Sequence, residues 1–254
     1  MTDANASARA ALEAAHPDLV QLSHRIYEHP ELGYEEVQAA AWLTEVLERA
    51  GFRLQRGFGE MSTAFVASTG SGPLHIAICA EYDALPEVGH ACGHNVICTA
   101  ALGAALALQP VADALGLKIT VLGTPAEEGG GGKIPFIEAG FFDDVHASMM
   151  VHPFPTDVAE PDIIAVQQLN VTYVGLAAHA SGFRWVGINA ADALVVAQTA
   201  IVLLRQQVVP TDRIHGLVTK GGDAAKIIPE RTTAEYMVRA ATSERLDDLV
   251  AQVG

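Results

Sequence analysis

The sequence of 254 residues contains few cysteines and few basic residues. The chain has three cysteines, Cys79, Cys92 and Cys98. An odd number of cysteines in a long chain argues against a disulfide framework, so a cysteine with a function is expected to be a metal ligand or a nucleophile. Fifteen Lys and Arg face thirty Asp and Glu, giving a formal charge of −15 and a pI near 4.9. A negative net charge repels the negatively charged phosphate groups of nucleic acids and of anionic lipids. We therefore expect neither nucleic acid nor an anionic membrane as a partner.

Long apolar segments are also lacking. The first ten residues have no basic stretch followed by an apolar core, and no uncharged apolar run reaches about 18 residues. We therefore expect a cytoplasmic protein without a membrane partner. Half of the residues are hydrophobic and 18% are charged, which indicates a globular protein. At roughly 150 residues per domain, the length predicts one large or two modest domains.

The first part of the chain predicts an α/β fold. Apolar residues at helical spacing predict helices over 3–28, with an interruption at Pro17, and over 35–50. Short apolar runs that predict strands then alternate with helical stretches, and this alternation is typical of a mostly parallel sheet flanked by helices. The predicted strands are 63–67, 74–80, 118–123 and 147–151, and the predicted helices between them are 96–108 and 132–139.

The pattern changes near Ile164. The predicted order is a strand, a long helix, two strands and a helix start, at 165–174, 189–207, 215–220, 231–240 and 243–250. A β-α-β-β-α order is a split ferredoxin-like unit without its last strand. We therefore predict one domain over 1–163 and a second, unfinished α+β domain over 164–254.

Metal-ligand residues follow three of the predicted strands. Cys92 and His94 come after the first of these strands, Glu127 and Glu128 after the second, and His152 after the third. Ligands bind at the carboxyl ends of strands in open α/β sheets, and Cys, His and Glu are ligands of zinc-like ions. Each signal is weak alone, since a single His or Cys is usually structural, but three clusters together indicate a metal centre.

Glu127 and Glu128 are adjacent carboxylates before a glycine-rich loop, 129–132. Neighbouring side chains on an extended segment point in opposite directions, so one can bind metal while the other moves protons. The alternative is a charged helix N-terminus stabilised by the helix dipole.

Four motifs occur in order along the chain, namely His29 to Glu36, Glu81 to Pro86, His90 to Asn95 and Pro125 to Gly130. Together they resemble peptidase family M20, in the amidohydrolase branch of aminoacylase, hippurate hydrolase and aminobenzoyl-glutamate hydrolase. The resemblance implies a catalytic domain over 1–163 that holds two divalent ions, zinc or manganese. It also implies an inserted lid and dimerisation domain over 164–254.

Residue roles follow from the same resemblance. It implies Cys92 as a bridging ligand and His94, Glu128 and His152 as further ligands. Glu127 is the implied general base, which takes a proton from water and returns it to the leaving amine. Asp83 is the implied carboxylate that orients the site.

The lid is expected to complete the site. By resemblance, His179 donates to the developing oxyanion from the other subunit of a homodimer, and Arg239 binds the free carboxylate of an N-acyl amino acid or dipeptide substrate. The alternatives are a histidine packed at a strand end and an arginine in a surface salt bridge. Lys226 stands where the family has a neutral amide, so its role stays open.

Three interpretations remain at this point. The family continues well beyond the position of Gly254 and supplies a final His ligand there, so the chain is interpreted as a truncated form of a metal-dependent amidohydrolase. We expect such a chain to be poorly soluble and to hydrolyse substrate only at trace rates. The second interpretation is an inactive metal-binding remnant. The third is a thiol enzyme with Cys92 as its nucleophile.

Overall fold

The computed structural model describes residues 2–254 and contains two compact units, Met1–Asp157 and Val158–Gly254. The sequence placed a domain boundary after residue 163. Both positions lie in one segment without helix or strand, residues 150–164. Each unit has its own buried cluster of apolar side chains.

The first unit is an α/β structure with a mixed five-stranded sheet of order β1-β2-β4-β3-β5. Strand β3 pairs in parallel with β4 and β5, whereas β2 pairs antiparallel with β1 and β4. Its elements are α1 (Thr2–Glu28), α2 (Val37–Arg49), β1 (Arg53–Phe58), β2 (Met61–Thr69), β3 (Leu74–Ala80), α3 (His94–Leu108), β4 (Leu117–Gly123), α4 (Lys133–Glu138) and β5 (Ala147–Met149).

Two of the four strand pairs in this sheet are antiparallel, whereas the sequence predicted a mostly parallel sheet. The sequence analysis also missed β1. Strand β1 is an edge strand of mainly polar residues, and none of its side chains is fully buried. It therefore lacks the apolar run that marks β2, β3 and β4. The hairpin of β1 and β2 reverses the chain, and β2 runs antiparallel to β4 as well.

Helix α1 runs through Pro17, where the sequence predicted an interruption. Proline removes one backbone N–H and so leaves the carbonyl of residue i−4 without a helical partner. Here Pro17 and Glu13 are both exposed, so water can satisfy that carbonyl. Leu19, Leu22 and Ile26 on the opposite face are buried and keep the helix on the core.

One helical stretch, His94–Val111, is long and apolar enough to cross a membrane by length and composition, contrary to the expectation that no such run exists. It is 56% buried inside the structure, and Ile97, Cys98 and Leu102 are completely buried. Helix α3, which forms most of it, packs against α1 and β3. The stretch is therefore the central core helix of the first unit.

The second unit has an antiparallel sheet of order β6-β10-β8 and two helices that pack on it. Its predicted strands and helices are confirmed to within three residues at every end. The elements are β6 (Ala165–Val174), β7 (Ala178–His179), α5 (Ala190–Leu204), β8 (Arg213–Lys220), β9 (Ile227–Ile228), β10 (Arg231–Ala240) and α6 (Ser243–Val253). The short strands β7 and β9 pair with each other and were not predicted.

Candidate metal centre

The carboxyl ends of β3, β4 and β5 meet at one edge of the sheet, because these three neighbouring strands run parallel. Glu81 and Asp83 follow β3, Glu127 and Glu128 follow β4, and His152 follows β5. Helix α3 begins at the same edge and contributes its first residue, His94.

His94 is completely buried and is oriented by Asp83. Its Nδ1 lies 2.9 Å from Asp83 Oδ1 and 2.9 Å from the Asp83 carbonyl oxygen. Both are acceptors, so Nδ1 carries the proton and Nε2 presents a lone pair. A carboxylate behind a ligand histidine is the usual arrangement at metal sites.

The same Asp83 carboxylate also fixes the loop that carries Glu127 and Glu128, which we call the glutamate loop. Its Oδ2 accepts the backbone N–H of Glu128 at 2.9 Å. Burial alone would raise the pKa of Asp83, but the bonds from His94 and Glu128 outweigh burial and lower it. Burial also opposes protonation of His94, yet the Asp83 carboxylate raises the His94 pKa on balance.

Three carboxylates surround Nε2 of His94. Glu81 Oε2 and Glu127 Oε2 each lie 3.7 Å from it, and Glu128 Oε1 lies 3.8 Å away. None of these distances is a hydrogen bond, and Nε2 is a buried atom without a partner. A buried ring nitrogen left unpaired among carboxylate oxygens fits a bound cation.

Cys92 and His152 form the other side of the cluster. Cys92 Sγ lies 3.5 Å from His152 Nε2, and the His152 Nδ1–H donates to the Pro153 carbonyl at 2.8 Å, which leaves Nε2 as an acceptor. The ligand atoms of Cys92, His94 and His152 all lie within 4.8 Å of one another. Thiolate and imidazole are typical zinc ligands.

Gly93 permits this close approach. It has a φ of +87° at the start of α3, and a Cβ there would lie 2.9 Å from Pro153 Cγ. Another residue would be strained in this conformation and would push the Pro153 segment away. Glycine between Cys92 and His94 therefore lets their two side chains face His152.

The charge around Cys92 disfavours the thiol-enzyme interpretation. Burial, followed by the neighbouring Glu128, raises the pKa of the Cys92 thiol to about 12. A nucleophilic cysteine needs a lowered pKa to be a thiolate at neutral pH. A metal ion would instead replace the thiol proton directly.

The loop that carries the two glutamates is held from behind by Glu36. Ala126 has a φ of +55°, unusual for a residue with a side chain. Its backbone N–H donates to Glu36 Oε1 at 2.8 Å, and the Thr63 hydroxyl donates to Oε2 at 2.8 Å. Glu36 is completely buried, and burial raises its pKa despite these bonds. The loop conformation thus depends on a carboxylate from another element.

Comparison with known proteins decides the family. The sequence model of peptidase family M20/M25/M40 matches residues 77–250. The chain belongs to this family. Xaa-Arg dipeptidase from Mus musculus is 42% identical over 94% of this chain and 58% of its own length. A component of the p-aminobenzoyl-glutamate hydrolase of Escherichia coli is 34% identical over 91% of this chain and 52% of its own length. The M20 chain thus spans somewhat over half the length of these relatives.

Solved structures confirm the fold. A putative aminohydrolase from methicillin-resistant Staphylococcus aureus matches with a TM-score of 0.71 at 20% identity, over 98% of this chain and 71% of that one. A dinuclear metal-binding peptidase of the M20 family from Bacillus subtilis matches with a TM-score of 0.69 at 22% identity, over 95% and 68% of the two chains. The family model and the curated relatives confirm the resemblance inferred from the sequence motifs.

The structure brings six of the eight predicted site residues of this M20 chain together in the first unit. These are Asp83, Cys92, His94, Glu127, Glu128 and His152. The two remaining residues, His179 and Arg239, lie in the second unit. Their roles stay predictions.

His179 and Arg239 occupy different parts of the second unit. His179 ends β7 and is exposed, with Nδ1 accepting the backbone N–H groups of Ser181 and Gly182 at 3.3 and 3.1 Å. Arg239 is half-buried on β10 and forms no ion pair within residues 2–254. The exposed Lys226 accepts, through its carbonyl, the N–H of Ala180 next to His179 at 3.0 Å.

Sequence reasoning assigned no role to Glu81, Lys133 or Glu36. Glu81 forms an ion pair with Lys133 and faces His94, while Glu36 holds the glutamate loop. The signal for Glu81 was present, since it directly follows β3 as Glu127 follows β4. No comparable signal marked Glu36, because it acts across 90 residues of sequence.

Proposed function

We propose that the chain is a metal-dependent amidohydrolase of the M20 family that cleaves the amide bond of N-acyl amino acids, aminobenzoyl-glutamate or dipeptides. The observation that supports this most directly is the unpaired, buried Nε2 of His94 among three carboxylates, beside the Cys92 and His152 pair. Imidazole, thiolate and carboxylate donors converging at parallel strand ends suit a divalent ion.

The proposed ligands of two divalent ions, zinc or manganese, are Cys92, His94, Glu128 and His152. Such ions, when bound, polarise the amide carbonyl and lower the pKa of the attacking water. Asp83 and the Pro153 carbonyl support this role, since each accepts the Nδ1–H of a histidine and leaves its Nε2 free to coordinate.

Glu127 is the proposed base. Its side chain is 43% exposed, against 23% for Glu128 and 2% for Glu81, so it is the carboxylate most accessible to a substrate water. Burial, followed by the charge of Glu81, raises the pKa of Glu127. A raised pKa makes the carboxylate a better proton acceptor, and the same group can then protonate the leaving amine.

The second unit is proposed as a ferredoxin-like lid. Its strand order β6-β10-β8 and its two helices agree with the β-α-β-β-α arrangement. In this role His179 would donate to the developing oxyanion in a partner protomer, and Arg239 would bind the substrate carboxylate. Within residues 2–254 the Arg239 guanidinium forms no ion pair, so it is available for that contact.

The substrate class rests on the named activities of the relatives, a dipeptidase and an aminobenzoyl-glutamate hydrolase. Both kinds of substrate contain an amide bond and a free carboxylate. They therefore need the same elements of the site, namely a water-activating centre, a base and a cation.

Elemental analysis and hydrolysis assays test the proposal. Purified protein should bind zinc or manganese, and Cys92→Ala and His94→Ala should each lower the metal content. Cys98→Ala and His215→Ala are matched controls, because Cys98 lies in the core and His215 on an exposed strand. Unchanged metal content in both site variants would contradict the site. Hydrolysis should be assayed with aminobenzoyl-glutamate, hippurate and Xaa-Arg dipeptides.

A further inference from the structure

We propose that Glu81 is an additional ligand at the metal centre and binds the same ion as His94. This inference rests on the proposed function, since it adds a residue to that centre. Glu81 directly follows β3, and its side chain is only 2% exposed. Neither the sequence motifs nor the roles proposed above assign it a function.

The buried oxygen of Glu81 has no partner in the protein. Glu81 Oε2 is shielded from water and forms no hydrogen bond, and it lies 3.7 Å from His94 Nε2, which is also unpaired. Removing a carboxylate oxygen and an imidazole lone pair from water without replacing their bonds is costly for both. One cation bound to both atoms would satisfy them together.

The remaining oxygen of Glu81 is anchored. Lys133 at the start of α4 forms an ion pair with Oε1. With Oε1 held by the ammonium group, the carboxylate cannot rotate freely, and Oε2 stays directed at His94. A ligand that is fixed in this way binds metal without a large loss of side-chain entropy.

With Glu81 as a ligand, the donor atoms on the His94 side of the centre differ from those on the Cys92 side. The ligand atoms of Glu81, His94 and Glu127 lie within 4.8 Å of one another and offer one nitrogen and two oxygens. Cys92 and His152 offer sulfur and nitrogen. Carboxylate oxygens suit manganese better than thiolate does, whereas sulfur and nitrogen suit zinc. Glu81 is therefore expected to support manganese binding in particular.

Calorimetric titration of the metal-stripped 254-residue chain with Mn²⁺ or Zn²⁺ tests this inference. Glu81→Gln keeps the shape and an acceptor for Lys133 but removes the charge. Glu81→Asp keeps the charge but withdraws it from His94 by one methylene. Both variants should weaken Mn²⁺ binding by about 10- to 100-fold. Zn²⁺ binding should weaken less. Glu138→Gln, on the exposed face of α4, is the matched control and should change neither.

The outcomes separate ligation from other roles. Weakened Mn²⁺ binding in both variants supports Glu81 as a ligand. A loss in Glu81→Gln but not in Glu81→Asp would show a through-space charge effect and overturn ligation. Unchanged affinity in both, with a lowered melting temperature, would make Glu81 a structural partner of Lys133 only. If the unsubstituted chain binds neither ion, this inference and the proposed function both fail. If circular dichroism shows that Glu81→Gln is unfolded, the Mn²⁺ affinity of Glu81→Asp alone decides: weakened binding supports ligation by Glu81, and unchanged binding overturns it.

Discussion

Asp83 links His94 to the glutamate loop of the candidate metal centre through a single carboxylate. One oxygen accepts from the His94 ring and the other from the backbone of Glu128. The tautomer of His94 and the position of the glutamate loop are therefore coupled, and a change at either side is transmitted to the other.

Substitution of Glu127 tests the division of roles between the two adjacent glutamates. In a version extended to the full length of the relatives, Glu127→Gln keeps the shape of the side chain but removes the proton acceptor, so hydrolysis should fall by roughly 10²–10⁴ while metal content stays constant. Glu128→Gln should instead lower the metal content. Activity within a few-fold of the parent in Glu127→Gln would show that Glu127 is not the base.

His75 gives the stability of the first unit a pH dependence. It is 3% exposed, and its Nε2 lies 2.9 Å from the Thr120 hydroxyl. Burial, followed by the charge of Lys118, lowers the pKa of His75 below its ordinary 6.5. Below pH 6.5 the unfolded chain therefore binds a proton that folded His75 resists. The contribution of neutral His75 is present above that pH and is lost as the pH falls toward the folded pKa.

Urea unfolding of the parent and His75→Gln from pH 7.5 to 5.5 measures this effect. The free energy of unfolding of the parent, relative to the variant, should fall with decreasing pH, by at most about 1.4 kcal/mol per pH unit. The exposed His215→Gln should leave the pH dependence unchanged. A constant difference between parent and His75→Gln would contradict the assignment.

At the scale of elements, the N-terminus of α2 is capped by a residue other than Glu36, so the Glu36 side chain can form contacts elsewhere. Glu36 occupies the N-cap position but makes no capping bond with its side chain. The Glu31 carboxylate accepts from the backbone N–H groups of Gln38 and Ala39 instead, at 2.9 Å each. Glu36 is thus free to point inward to Ala126 and Thr63, and it connects α2, β2 and the glutamate loop.

We predict that Glu36→Ala destabilises the protein by about 1–3 kcal/mol, because it leaves a buried amide and a buried hydroxyl without their acceptor. Glu36→Gln should lose less, since its amide oxygen can still accept from Ala126. Denaturant unfolding measures both. Glu35→Ala, at the exposed neighbouring residue, is the control. An equal, small effect of Glu35→Ala and Glu36→Ala would contradict the proposed connection.

The elements that the sequence predicted best share a strong local signal. Strands β3, β6 and β10 were predicted with their observed ends, because their apolar or alternating patterns can be recognised in the local sequence. Strand β1 was missed because it is a polar edge strand. The cluster of ligand-type residues was also predictable, since it follows strand ends. Glu36 and the Glu81–Lys133 pair were not, because burial and contacts distant in sequence decide their roles.

At the scale of the whole molecule, α5 has apolar residues that its own unit does not cover. Leu194 and Ile201 are buried, whereas Val195, Val196, Val202 and Leu203 are between 51% and 69% exposed. Exposed apolar side chains on one helix are typical of an interface. This pattern supports the proposed homodimer through the second unit.

Sedimentation tests the homodimer. The unsubstituted chain should sediment as a dimer, and Val196→Glu combined with Leu203→Glu should shift it toward the monomer by placing charges on the apolar face. Leu115→Glu, at an exposed position of the first unit, should have no effect. A strictly monomeric parent at high concentration would show that α5 is not the interface.

The order of the residues along the chain has a consequence for biosynthesis. Every residue proposed to hold metal lies between Glu81 and His152, before the second unit begins at Val158. The ribosome therefore synthesises these five residues before it reaches His179 and Arg239, the residues proposed to contact substrate. Because domains fold from the N-terminal one onward during synthesis, we expect the first unit to fold around these side chains before the second unit is complete.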